Sequence, residues 1–135
     1  MIPDATMIRR ITRLKGVTAG NPALKIFIAI GGWSFNDPGP TRTAFSDMAS
    51  TPQNRKTFID SVMNFLETHA LDGIDIDWEY PGADDRGGKP ADFENYVTLI
   101  NSMRAAFDKT DPSWGISMAI PASYWYLGHY HHNKK

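Results

Sequence analysis

The stretch Leu71-Asp72-Gly73-Ile74-Asp75-Ile76-Asp77-Trp78-Glu79-Tyr80-Pro81 decides how this chain is read. Apolar residues and carboxylates alternate along it at period two, the pattern of a β-strand whose two faces meet different surroundings. Ile74, Ile76 and Trp78 belong to one face; Asp75, Asp77 and Glu79 belong to the other. Same-face neighbours on a strand stand about 6.5–7 Å apart. Two full negative charges at that separation repel by roughly 2.4 kcal/mol at an effective dielectric near 20, more than one pKa unit. Three carboxylates in a row on a covered face cannot all ionise freely, so at least one is expected to hold a proton near neutral pH. Such a row makes a poor core and a good acid catalyst.

Upstream, Thr51-Pro52 reads as an N-cap with proline in the first turn of a helix. That helix is expected to bury Phe58, Ile59, Val62, Phe65 and Leu66 and to end near Ala70. Before it, Leu24 to Ile30 (LKIFIAI) is a short apolar run, read as a strand covered on both faces, as in a parallel sheet. It leads into Gly31-Gly32-Trp33-Ser34-Phe35 and a polar loop with Asp37-Pro38-Gly39-Pro40. From about Asp4 to Val17, Met7, Ile8, Ile11 and Leu14 recur at helical spacing among basic residues.

Downstream, Pro81 to Pro90 (PGADDRGGKP) is a turn-forming loop. A third helix, from about Ala91 to Lys109, presents Phe93, Tyr96, Val97, Ile100, Met103 and Phe107, and Trp114 to Ile120 (WGISMAI) reads as a third strand stopped by Pro121. The order α-β-α-β-α-β predicts an α/β fold with a parallel sheet. Reactive groups in such folds gather at the carboxyl ends of strands. Those ends carry Gly31-Gly32-Trp33, Asp77-Glu79-Tyr80 and Pro121-Ala122-Ser123-Tyr124-Trp125.

Composition sets the limits. The chain has 135 residues, 41% hydrophobic and 12% aromatic, which suits one globular domain. A net charge of −1 gives no electrostatic reason to expect nucleic acid or an anionic membrane as partner. No apolar run approaches the roughly 20 residues of a membrane span. The opening MIPDATMIRRITRLKG lacks an apolar h-region, so no secretory leader is expected at this end. Without cysteine, disulfide and thiol chemistry are excluded.

Asp72-Gly73-Ile74-Asp75-Ile76-Asp77-Trp78-Glu79 resembles the DxxDxDxE signature of family-18 glycoside hydrolases, the chitinases and their relatives. Ala29-Ile30-Gly31-Gly32 is similar to their SxGG strand, and Met118-Ala119-Ile120-Pro121 to a later MAxP strand. The wording IGGWSFNDPGPT and DWEYPGADDRGGKPADFENY resembles fungal chitinases and the chitinase-like subunit of yeast killer toxins. The likeness runs from about Lys25 to Leu127 and implies a partial (β/α)8 TIM barrel, family strands three to five with flanking helices. A whole barrel takes about 250 residues. Residues 1–127 then form a partial catalytic domain and 128–135 a non-matching, disordered tail. The first two strands and the later ones, including one whose tyrosine contacts the substrate's acetamido group, have no counterpart in the pattern.

The resemblance implies hydrolysis of β-1,4-linked N-acetylglucosamine, with chitin or chitooligosaccharide as partner and neither metal nor organic cofactor. Glu79 would protonate the glycosidic oxygen. Asp77 would hold the 2-acetamido group while its carbonyl oxygen attacks the anomeric carbon to give a cyclic oxazolinium. Asp75 would sit behind Asp77 and share its proton, with Asp72 as a structural member of the motif. This substrate-assisted route is an exception to the two-carboxylate scheme, and the spacing alone fits a conventional acid and nucleophile equally well. The family's serine is Ala29 here, which removes a hydroxyl expected to hydrogen-bond the aspartates.

Around these acids the candidate substrate contacts are Tyr80, Gly31, Gly32, Trp33, Met118, Tyr124 and Trp125. Gly31 and Gly32 form either a simple turn or a floor on which sugar approaches the backbone. Trp33, Tyr124 and Trp125 are either packing aromatics or platforms for sugar rings, whereas Trp78 faces away and belongs to the core. A hard-cation site on the carboxylates is a weaker reading, since no second ligand-rich segment accompanies them. His129, His131 and His132 resemble a zinc cluster superficially and are read as solvated. Rival functions are a chitin-binding lectin, which would typically have lost the acid that Glu79 retains, a non-functional truncated product, and an endo-β-N-acetylglucosaminidase. The chain by itself is expected to fold poorly and turn over little chitin, with open sheet edges prone to self-association. A secreted parent protein is what the family likeness implies.

Overall fold

In a computed structural model of the chain, residues 4–15, 21 and 23–130 are described. Strands β1 (Phe27–Gly31), β2 (Gly73–Asp77) and β3 (Gly115–Met118) form one parallel sheet in the order β1-β2-β3. The acid-bearing strand therefore lies in the middle. Its register puts Ile74 between Ile28 and Ile116, and Ile76 between Ile30 and Met118, an apolar row on one face. On the other face Gly73 pairs with Phe27 and Gly115, Asp75 with Ala29 and Ser117, and Asp77 with Gly31.

The helices form where sequence supplies both a start and an apolar stripe. Asp4 caps α1 (Ala5–Thr12), its Oδ1 accepting the Thr6 N–H at 3.1 Å. Thr51 caps α3 (Pro52–His69) by accepting from the Asn54 N–H at 3.1 Å, and Ala70, left-handed at φ 51°, ends it. The crossover from β2 to β3 is α4 (Asp92–Thr110). Ile59, Val62 and Leu66 of α3 and Tyr96, Leu99, Met103 and Phe107 of α4 pack on Ile74, Ile76 and Trp78. Trp78, 1% exposed, stacks on Phe45 at 5.4 Å and meets the edge of Tyr96 at 5.2 Å. Each such side chain contributes about 1.5–3 kcal/mol by leaving water. Among the described residues the helical layer lies against the isoleucine face, and no helix is long and apolar enough to cross a membrane.

The structure corrects several expectations. The polar loop after β1 contains a helix, α2 (Ala44–Ser50), whose Phe45 and Ala49 lie one turn apart and are both buried in the core. The first strand is not covered on both faces: Phe27, Ala29 and Gly31 are exposed on the side that carries the acids. On α4, Leu99 replaces Val97 in the buried stripe, because positions 96, 99, 103 and 107 keep the helical period while Val97 rotates outward. Phe58 and Phe65 flank the core instead of entering it. After the short α5 (Tyr124–Leu127), Gly128–Tyr130 forms a 3-10 turn where disorder was expected; residues 131–135, with His131 and His132, lie outside the described residues.

Candidate active site

The acid row departs from a uniform pleat. Pairing in β2 stops at Asp77, and Glu79 sits in the bend beyond it. The Glu79 side chain acts on the Asp77 carboxyl both through its charge and through hydrogen bonding. The Asp77 carboxyl is held above the ordinary range, first by burial, then by the charges of Glu79 and Asp75 and by that hydrogen bond. The carboxyl on which a proton is favoured is thus that of Asp77.

Asp75 is tied differently. Its Oδ1 accepts the Ser117 hydroxyl from β3 at 2.5 Å, and on its other flank stands the methyl of Ala29. Asp75 acts on Asp77 through its charge. Asp72 belongs to the opposite end of the strand: Oδ2 accepts the Ile26 N–H at 2.7 Å and meets Lys15 Nζ at 2.6 Å, while Lys25 lies 3.5 Å from Oδ1. Burial pushes its carboxyl up, but the Lys15 and Ile26 hydrogen bonds and the two lysine charges outweigh that and hold it below the ordinary range. It fastens the entry of β1 to the start of β2, far from the rim.

Gly31 and Gly32 are left-handed, at φ 113° and 96°. The Gly32 N–H donates to the Asp77 carbonyl at 2.8 Å, and a Cβ on Gly31 would lie 2.2 Å from that same oxygen. The space a side chain would need at Gly31 is filled by Asp77's backbone, so interstrand approach, rather than a sugar floor, accounts for Gly31. At Gly32 the nearest atom is Asp77 Oδ2, 3.5 Å from such a Cβ.

The other candidates divide. Tyr80 adjoins the acid: burial first, then a hydrogen bond with Glu79, raises its hydroxyl's pKa. Trp33 lies at the end of β1, half exposed, on the same rim. Met118 does not join them. It pairs with Ile76, on the face turned away from the acids, and the strand's acid-side residue is Ser117. Tyr124 is 92% exposed, whereas Trp125 packs edge-on against Tyr126 and His129. The aromatic that reaches the site is Tyr126, 4.6 Å from the Tyr80 ring, with its hydroxyl donating to Asp85 Oδ2 at 2.9 Å. Among the described residues no group of three or more His, Asp or Glu is arranged to hold a metal ion.

Two further residues escaped the sequence reading. Asp92, at the start of α4, is 1% exposed and accepts from Ser46 Oγ at 2.7 Å, the Lys89 N–H at 2.6 Å and the Gly82 N–H at 3.3 Å, fixing the loop that follows the acid. Arg86, 7% exposed inside that loop, reaches Asp37, Trp33 and Glu79. The segment is tightly bonded, not merely a turn.

Comparison with known proteins matches this arrangement to one family. The profile described as glycosyl hydrolases family 18 matches residues 2–134. An endochitinase of Manduca sexta is 34% identical over 129 residues, 95% of this chain and 22% of that protein. The killer toxin subunits alpha/beta of Kluyveromyces lactis are 42% identical over 103 residues, 73% of this chain and 9% of that protein. The chitinase domain of the spore coat protein CotE from Clostridium difficile superposes with a TM-score of 0.75 at 36% identity, covering 96% of this chain and 34% of that one. The sheet and its helices are thus a partial barrel of this family, and the chain spans roughly a third or less of each of these relatives.

Proposed function

The chain belongs to glycosyl hydrolase family 18, and from that premise we propose that its rim carries chitinase chemistry: retaining hydrolysis of β-1,4-N-acetylglucosamine linkages. Glu79 gives its proton to the glycosidic oxygen. Asp77 holds and orients the substrate's acetamido group, whose carbonyl oxygen attacks the anomeric carbon, and Asp75 sits behind Asp77 and shares its proton. Water then opens the oxazolinium, with Glu79 as base. The observation that carries the reading is the placing of Asp75, Asp77 and Glu79 at the carboxyl end of the central parallel strand, where burial and the neighbouring charges raise the Asp77 carboxyl.

Turnover by this chain alone is expected to be slow. The acid face has no layer over it among the described residues, and water there weakens every electrostatic interaction the reaction uses. The test is to incubate the 135-residue chain with chitopentaose and follow new reducing ends and their anomeric form by NMR. The expected result is β-anomer product that disappears in Glu79→Gln. Product of inverted configuration, or cleavage indifferent to Glu79→Gln, overturns the assignment. Binding without cleavage transfers the reading to a chitin-binding role.

A further inference from the structure

The sheet ladder ends at the Gly31–Asp77 pair, and beyond it the carbonyls of Trp33 and Glu79 have run out of strand partners. One guanidinium takes both. Arg86 donates from Nε to the Glu79 carbonyl at 3.3 Å, from Nη2 to the Trp33 carbonyl, and from Nη1 to Asp37 Oδ1 at 2.9 Å. Its Cζ also lies 3.8 Å from the centroid of the Trp33 ring, at cation–π distance, while Trp33 remains 50% exposed. Three acceptors on two segments, the turn after β1 and the bend after β2, and one aromatic face converge on a side chain buried in a loop.

We infer that Arg86 is a positioning residue that joins the peptide of Glu79 to the backbone and ring of Trp33, so that the proton donor and an exposed aromatic platform move as one body. The inference rests on the reading of Glu79 as the acid and adds how that acid is held. Arginine alone among side chains offers a rigid planar fork with five N–H donors and a flat face for an indole. Lysine could reach one or two of these acceptors as a point charge and would lose the stack. A merely structural filler would not need to be cationic. Burying a charge is costly unless it is fully partnered, and here the partners are the groups that fix the rim's geometry.

The test compares Arg86→Lys and Arg86→Ala with the parent chain and with Glu79→Gln. Far-UV circular dichroism reports folding, tryptophan fluorescence in a Trp33→Phe difference experiment reports the platform, and chitopentaose binding and cleavage report the site. Folded Arg86→Lys is expected to lose turnover by on the order of tenfold or more, since small misplacements of a reacting group are costly. It should also show altered Trp33 emission and several-fold weaker binding. Added guanidinium ion should partly restore Arg86→Ala. A folded Arg86→Lys with parental emission, binding and turnover overturns the proposal, as does collapse of both variants, which would make Arg86 a folding residue only. Cleavage that survives Glu79→Gln sinks the acid assignment instead, while the Trp33 signal still judges Arg86.

Discussion

Ser117 on β3 donates its hydroxyl to Asp75 on β2 across 2.5 Å, and Ala29, in register on the other flank of Asp75, offers no hydrogen bond. A donor to a charged acceptor is worth about 1.5–3 kcal/mol when sheltered and less on an open face. Ser117→Ala is therefore expected to slow turnover several-fold with little change in KM. The Asp77 titration should also move further above the ordinary carboxylate range, because Asp75 without its donor turns a less compensated charge on Asp77. Adding Ala29→Ser should restore both, since the register places that hydroxyl beside the same carboxylate. Carbonyl NMR titration and oligosaccharide kinetics are the measurements. If the single variant leaves both unchanged, the hydroxyl is not coupled to the acids.

The raised Asp77 carboxyl has a consequence for stability. A group whose pKa is higher in the folded than in the unfolded chain favours folding only while it is protonated. Below the unfolded value of 3.8 there is no penalty; it grows as pH rises and is complete once pH exceeds the folded value. Asp77→Asn, neutral throughout, should melt a few degrees higher than the parent at pH 7 and no higher at pH 3.5, while cleaving nothing. Thermal melts at the two pH values decide it. Equal melting at pH 7 would mean that the carboxylates impose no strain on the fold.

At the other end of the strand the sign reverses. Asp72 is held below its ordinary range, so its contribution is complete above pH 3.8 and is lost as pH falls through the lower folded value. Asp72→Asn removes the charge facing Lys15 and Lys25 but can still accept from Ile26. It should destabilise the chain by about 1–2 kcal/mol at pH 7, as expected for a partly sheltered ion pair. The gap between parent and variant should close on acidification. Urea titrations at pH 7 and pH 3 measure it, and a gap that does not narrow at all between them would assign the effect to packing.

The alternation of Ile74, Asp75, Ile76 and Asp77 announced both the central strand and the two faces, because period two follows from backbone geometry alone. The Thr51-Pro52 cap and the α3 stripe were legible for the same reason: their signals are local. What escaped depends on contacts between segments distant in sequence. Arg86 sat among turn residues, and nothing nearby says that its acceptors lie 53 and 49 positions away. Met118 was placed with the substrate by motif, whereas strand register, which no single strand reveals, turns it to the other face. Tyr126 was passed over for its more conspicuous neighbours, although only a folded loop brings it to Tyr80. The helix α2 was hidden because seven residues after a polar turn carry too short a stripe to stand out.

The two glycines at the end of β1 should respond differently to the same methyl. On Gly31 it would stand 2.2 Å from the Asp77 carbonyl oxygen and 2.9 Å from Phe45 Cε2, at a φ of 113° that side chains rarely adopt. Neither neighbour can yield, since one is ladder backbone and the other is buried core. Gly31→Ala is thus expected to push β1 off β2 and to cost more than about 3 kcal/mol, or to prevent folding. On Gly32 the methyl meets Asp77 Oδ2 at 3.5 Å, an ordinary contact, so the cost is mainly that of φ 96°, about 1–2 kcal/mol. There it would shed water from the Asp77 carboxyl, and Asp77 in Gly32→Ala should titrate at still higher pH than in the parent. Denaturant unfolding of both variants and an NMR titration of Gly32→Ala test the pair. Equal stabilities for the two would contradict the close approach of Gly31 to Asp77, and an unmoved Asp77 would mean that the carboxyl points away from the Gly32 backbone.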